Sequence, residues 1–175
     1  MALAFSEKAE AHFQDLLTRY PNTLAALLPT LHLAQDEFGW ISVTVMDYVA
    51  ERLDLHPTKV LTAATFYSLY DKQPVGKVHI QVCTTLTCAF RGGYELLEHL
   101  EQSLGIRTGE TTADGNFTVS EVECLASCGT APMFYVSYAG GGNEYFENLS
   151  VERVNEILED FNKRLPSLPN PAKMH

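Results

Sequence analysis

The run Val78-His79-Ile80-Gln81-Val82-Cys83-Thr84-Thr85-Leu86-Thr87-Cys88 carries two signals at once. Val78, Ile80 and Val82 alternate with His79 and Gln81, the two-residue period of a half-buried strand, and the strand closes on Cys83. A second cysteine follows after four residues. The same grammar recurs downstream, where Phe117 to Glu123 reads as a strand ending at Cys124, with Cys128 after three more residues. The four cysteines of the chain thus form two pairs, 35 residues apart, each just past the end of a strand.

Four thiolates with none to spare match the ligand count of a [2Fe-2S] cluster, which takes two sulfurs for each iron. Other uses of four cysteines compete with it. Two disulfides suit a secreted miniprotein, but 175 residues can build a core of their own, and the start Met1-Ala2-Leu3-Ala4-Phe5-Ser6 has no basic region or long apolar run. Structural zinc draws more often on CxxC pairs or on cysteine with histidine, and neither gap here is its commonest spacing, yet four thiolates also satisfy it. A redox dithiol of thioredoxin type needs CxxC, which is absent. The cluster leads and zinc stays open. A Rieske centre would need two histidine ligands; His79 lies inside the strand and His99 inside a helix, so neither fits.

Outward from the cysteines, Gly92-Gly93 precedes a helical pattern of Tyr94, Leu96, Leu97, Leu100 and Leu104 that stops at Gly105. Asp114-Gly115 marks a turn, Met133 to Tyr138 a third strand, Gly140-Gly141-Gly142-Asn143 another turn, and Glu144 to Glu147 a fourth strand. Ser150 caps a last helix with Val151, Val154, Ile157, Leu158 and Phe161 on one face. The first 70 residues read as four helices: 6–19 behind the Ser6 cap, Thr23 to Phe38 with a restart at Pro29, one behind Ser42, and one from Pro57 towards Tyr70. The expected organisation is α+β, with a helical bundle over 1–72, a sheet domain with helices over 73–165 and a flexible tail over 166–175.

The net charge of -10, from 12 Lys and Arg against 22 Asp and Glu, argues against nucleic acid or an anionic membrane as partner. No apolar run approaches 18 residues, so no direct membrane insertion is expected. Free thiols without a secretory start point to a reducing compartment, the bacterial cytoplasm or its equivalent. GxGxxG, P-loop, GxSxG and HExxH patterns are all missing, so the chain reads as a relay and not as a complete enzyme. At the site itself, a helix N-terminus after the first pair would offset cluster charge with its free N–H groups, and Thr84, Thr85 and Thr87 are candidate donors to sulfur. Arg91 reads as a solvated arginine with a tuning role as the sharper alternative, and Pro132 as a rigid turn or a shield for the cluster.

Val82-Cys83-Thr84-Thr85-Leu86-Thr87-Cys88, with Glu121-Val122-Glu123-Cys124-Leu125-Ala126-Ser127-Cys128 and Ala131-Pro132, closely resembles the 24 kDa subunit family of NADH dehydrogenase in respiratory complex I, whose bacterial members are the E-type subunits of NADH-quinone oxidoreductase. Leu31-His32-Leu33-Ala34-Gln35, Ala63-Ala64-Thr65-Phe66-Tyr67 and Tyr145-Phe146-Glu147-Asn148-Leu149-Ser150 extend the resemblance over nearly the whole chain. It implies an N-terminal helical bundle followed by a thioredoxin-like [2Fe-2S] ferredoxin domain, with Cys83, Cys88, Cys124 and Cys128 as ligands, one pair to each iron. It also implies a partner subunit carrying FMN and NADH, further complex I subunits, and a peripheral place on the cytoplasmic side of the inner membrane. The chain would then be a non-autonomous subunit of an NADH:quinone oxidoreductase, a translocase. The same subunit type in a soluble NAD-linked hydrogenase or formate dehydrogenase is the related alternative, and a zinc-stapled adaptor the unrelated one. Two departures stand out: Thr87 where the family pattern has proline before the second ligand, and Ala126 where it has glycine between the last two.

Overall fold

Serine and proline set where the N-terminal helices begin. The structure, a computed structural model, describes residues 3–169, which divide into two units, 3–74 and 75–169. In the first unit the Ser6 hydroxyl accepts from the Ala9 N–H at 3.3 Å and opens α1, Glu7–Arg19. Ser42 does the same for the Val45 N–H at 3.2 Å and opens α3, Val43–Leu53. Pro57 starts α4, Pro57–Phe66. Between α1 and α3 lies α2, Leu27–Phe38. Its start differs from the sequence expectation: 23–26 form a turn, and Pro29 sits in the first turn of the helix, where its missing N–H has no helical partner to lose. No restart is needed. The fourth helix also stops early, at Phe66 and not Tyr70, because the chain leaves the helix to bury Tyr70, whose hydroxyl donates to the Leu28 carbonyl at 2.9 Å. Phe13, Leu31, Ile41, Val45, Val49 and Leu53 fill the core of this unit.

The second unit is built on a four-stranded mixed sheet. Its strands are β1, Val78–Cys83; β2, Phe117–Val122; β3, Phe134–Tyr138; and β4, Asn143–Phe146, in the order β2-β1-β3-β4. The third and fourth strands each lie one residue from the expected limits, within ordinary fraying. β1 and β2 run parallel, which requires a crossover, and α6, Gly93–Leu104, supplies it and packs on both strands. β3 runs antiparallel to β1, and β4 antiparallel to β3. The register pairs Cys83 with Val122 and Val82 with Phe134, so the end of β1, the end of β2 and the start of β3 lie level at one edge of the sheet. That alignment brings the two cysteine loops together. α7, Val151–Arg164, lays Val154, Ile157, Leu158 and Phe161 into the core, where Phe161 meets Tyr138 and Phe146 edge to face.

Two features of this unit depart from the sequence expectation. The first pair is not held in a plain loop: a five-residue helix, α5, Leu86–Phe90, carries Cys88. The tail does not become free at Pro166. A 3-10 turn over Leu165–Ser167 follows α7, and both Leu165 and Leu168 pack against the sheet core, because two leucines flanking the Pro-Ser step still have apolar surface to bury. The rest of that expectation, from residue 170 on, lies outside the described residues. The architecture is α+β, with the helical unit first and the mixed sheet second.

Candidate metal centre

Cys83 ends β1, Cys88 sits in α5, and Cys124 and Cys128 lie in the loop between β2 and β3. The pairs differ in environment, the first being buried and the second exposed. The sulfurs of Cys124 and Cys128 stand 3.9 Å apart. Metal–sulfur bonds of about 2.3 Å at the tetrahedral angle place two thiolates about 3.8 Å apart, so this pair already has the spacing of one metal's two ligands. Among the described residues no three His, Cys, Asp or Glu side chains converge to hold a single ion. The thiols are grouped two by two.

The first pair shows how backbone stabilises charge on sulfur. Burial raises the Cys83 thiol, but N–H groups of Leu125 and Thr85, the Cys88 thiol and the Thr85 hydroxyl all favour its thiolate, and the net shift is downward. Cys88 is pushed up to about 11, chiefly by burial and then by the neighbouring Cys83, against the pull of the Met133 N–H. The pair is thus asymmetric, with Cys83 the sulfur on which the surroundings favour negative charge. Leu125 belongs to the second cysteine loop, so its contact with Cys83 ties the two loops directly. In that loop the Ala126 N–H donates to Cys124 Sγ at 3.3 Å.

α6 begins at Gly93, packed against the carbonyl oxygens of Cys83 and Cys88, where a Cβ would come within 2.8 and 2.9 Å. The N–H groups that reach sulfur belong instead to Thr85, Leu125, Ala126 and Met133. Of the candidate threonines, Thr85 donates to Cys83, whereas Thr84 donates to Glu121 Oε1 at 2.6 Å. Arg91 is neither simply solvated nor aimed at sulfur: its Nε donates to the Ala131 carbonyl at 3.4 Å, a strut between the two cysteine segments. Ala131 and Pro132 are buried and joined by a cis peptide bond, and Ala131, Met133, Cys83 and Cys88 form a small apolar cluster of their own. His79 bonds Ser120 at 2.8 Å and His99 bonds Asn155 at 2.7 Å, both away from the thiols.

Sequence reasoning located the sulfurs but not the backbone donors. Main-chain N–H groups have no residue signature, and Leu125 or Met133 reads as an ordinary apolar residue. Gly93 was visible as a doublet with Gly92, although the reason for it was not.

Known proteins share both the sequence and the fold that build this site. The model of the thioredoxin-like [2Fe-2S] ferredoxin family matches residues 13–162. The chain is 43% identical over 143 residues to an E-type subunit of NADH-quinone oxidoreductase, the second of that type in Rhizobium meliloti (strain 1021), covering 82% of each protein. It is 37% identical over 175 residues to NADH-quinone oxidoreductase subunit 2 of Thermus thermophilus, covering 98% of this chain and 94% of that one. A chain in a crystal structure of NAD+-reducing [NiFe]-hydrogenase shares the fold, with a TM-score of 0.64 at 21% identity over 80% of this chain and 22% of the longer one. With a match across most of its length and relatives aligned nearly end to end, this chain belongs to the thioredoxin-like [2Fe-2S] ferredoxin family, among the E-type subunits of NADH-quinone oxidoreductase.

Proposed function

We propose that the chain is the iron–sulfur electron-transfer subunit of the NADH-oxidising module of an NADH:quinone oxidoreductase, with Cys83, Cys88, Cys124 and Cys128 holding one [2Fe-2S] cluster. The observation that carries this reading is the grouping of four thiols two by two at one sheet edge, with the 3.9 Å separation of Cys124 and Cys128 fitting one tetrahedral metal. A single zinc ion would ask all four to converge on one point. When bound, the cluster supplies a one-electron carrier, while NADH and FMN reside on a partner subunit.

The chain's own residues do the rest. Thr85, Leu125, Ala126 and Met133 donate N–H bonds to the sulfurs, which offsets the negative charge of four thiolates. Burial of Cys83 and Cys88 keeps water from one side of the site, while Cys124 and Cys128 leave the other side open to a flavin-bearing partner. Beside Cys88, Leu86 and Phe90 are 67% and 83% exposed, apolar surface that such a partner covers. Among the described residues no helix is long and apolar enough to cross a membrane, in keeping with a peripheral subunit that reaches the cytoplasmic face of the inner membrane through its complex.

Metal analysis tests the reading directly. Purified protein is expected to hold about two irons and two acid-labile sulfides per chain; stoichiometric zinc without sulfide would sink it. Cys83→Ser and Cys124→Ser are each expected to lose or weaken the cluster signal in EPR, and an unchanged signal in either variant overturns that ligand. Copurification identifies the host complex: a flavoprotein with quinone-reducing membrane subunits supports the assignment, and a nickel- or molybdenum-bearing subunit replaces it.

A further inference from the structure

Building on the iron–sulfur reading, we infer that Glu147 is a positioning residue for the second cysteine pair, a carboxylate that clamps the Cys124–Cys128 loop from the end of β4. Glu147 follows β4 directly. Its Oε1 accepts from the Ser127 hydroxyl and, at 2.5 Å, from Thr130 Oγ1, and the two hydroxyl oxygens lie 2.9 Å apart. Ser127 immediately precedes Cys128 and Thr130 lies two residues after it, so one carboxylate oxygen grips the loop on both sides of a ligand. Each hydroxyl has a single proton to give, and Glu147 Oε1, with two lone pairs, can accept from both.

Backbone bonds set the clamp in place. The Asn148 N–H donates to the Thr130 carbonyl at 2.7 Å and the Leu149 N–H to the Pro132 carbonyl at 3.1 Å, so 147–149 run along 130–132. The loop needs such an anchor. It belongs to no strand ladder, it contains Ala126 in the left-handed region at φ 62°, and both of its cysteines are exposed, so packing does not fix their sulfurs. A ligand pair on a loop keeps its spacing when surrounding hydrogen bonds hold it.

The test compares wild type with Glu147→Ala, Glu147→Gln and a Ser127→Ala/Thr130→Val double variant, in metal-free and iron-loaded protein. In metal-free protein, hydrogen exchange at the amides of 126–130 is expected to run about tenfold faster in Glu147→Ala, as loss of the hydrogen bonds to both hydroxyls implies, with Glu147→Gln staying near wild type because its amide oxygen still accepts. In loaded protein, a chelator is expected to strip iron from Glu147→Ala and from the double variant at similarly increased rates. Combining all three changes should add nothing further. Wild-type exchange in Glu147→Ala overturns the clamp, as does Glu147→Gln behaving like alanine. If Glu147→Ala fails to fold, the double variant carries the same comparison. Absence of iron and sulfide from wild type defeats the iron–sulfur reading alone, since exchange in metal-free protein still decides the clamp.

Discussion

Gly93 has no room for a methyl group. A Cβ there would lie 2.8 Å from the Cys83 carbonyl oxygen, 2.9 Å from that of Cys88 and 3.0 Å from the Cys88 carbonyl carbon, all backbone atoms that cannot swing aside. Gly93→Ala is therefore expected to lift α6 off both cysteine-bearing segments at a cost of about 1–3 kcal/mol, as overpacking does, and, on the proposed iron–sulfur reading, to lower the iron retained per chain. Denaturant unfolding of the metal-free protein and iron analysis of the loaded protein check the two halves separately; wild-type values in both refute the close approach. The opposite case is Ala126, a non-glycine residue at φ 62°. Ala126→Gly is expected to stabilise the second unit by about 1 kcal/mol or less, because the steric cost of about 1–2 kcal/mol that alanine meets in the left-handed region is partly offset by the greater freedom of glycine in the unfolded chain. Both residues were conspicuous in the sequence, one as half of a glycine doublet and the other as a departure from a glycine pattern. Their reasons were not legible. A close approach depends on which backbone lies opposite, and a dihedral angle depends on the loop's closure; neither is a property of neighbouring residues.

Elements with a clear period were legible, and those without one were not. β1 announced itself by alternation and α1, α3, α6 and α7 by apolar stripes, whereas α5 has five residues, too few to show a helical period. α4 ended early because a tertiary contact, the burial of Tyr70, outweighed local helix preference. Between elements, one tie in the first unit was equally invisible from sequence. Arg52 of α3 reaches Glu10 of α1 with two bonds of 2.7 Å and stacks 4.5 Å above the Phe13 ring. The Arg52 hydrogen bonds, helped by Gln14, hold the Glu10 carboxyl at about 2, below its ordinary 4.5. A depressed acid contributes stability that is fully present above the unfolded value and is lost as pH falls through the folded one. The first unit is thus expected to lose this contribution between pH 4.5 and about 2. The chain's one tryptophan, Trp40, lies in this unit, so its fluorescence reads the transition. Glu10→Gln should melt lower at neutral pH and show a shallower acid slope; an unchanged slope would mean the pair contributes nothing.

At the scale of the molecule, each unit has its own interior. Phe13, Leu31, Val45, Leu53 and Tyr70 belong to one apolar cluster, Ile80, Val119, Phe134, Val136 and Phe161 to another, and Cys83, Cys88, Ala131 and Met133 to a third, small one at the sheet edge. The order of elements pointed to an open sheet covered by helices, but not to the strand order β2-β1-β3-β4 or its register, which arise from the crossover through α6 and the return of β3 beside β1. Metal bound by the cysteines of the third cluster would contribute a binding free energy, and a site that is not preformed in the unfolded chain returns that free energy as stability. The first unit contains none of the four thiols. Stripping the metal with a chelator under reducing conditions is therefore expected to lower the melting midpoint of the second unit, followed by hydrogen exchange over 117–138, and to leave the Trp40 transition where it was. Equal downward shifts in both signals would show that the helical unit depends on the metal too, and would refute the assignment of metal-linked stability to the sheet edge alone. No shift in either would show that the four thiols hold their positions unaided, so that a bound metal has no structural duty.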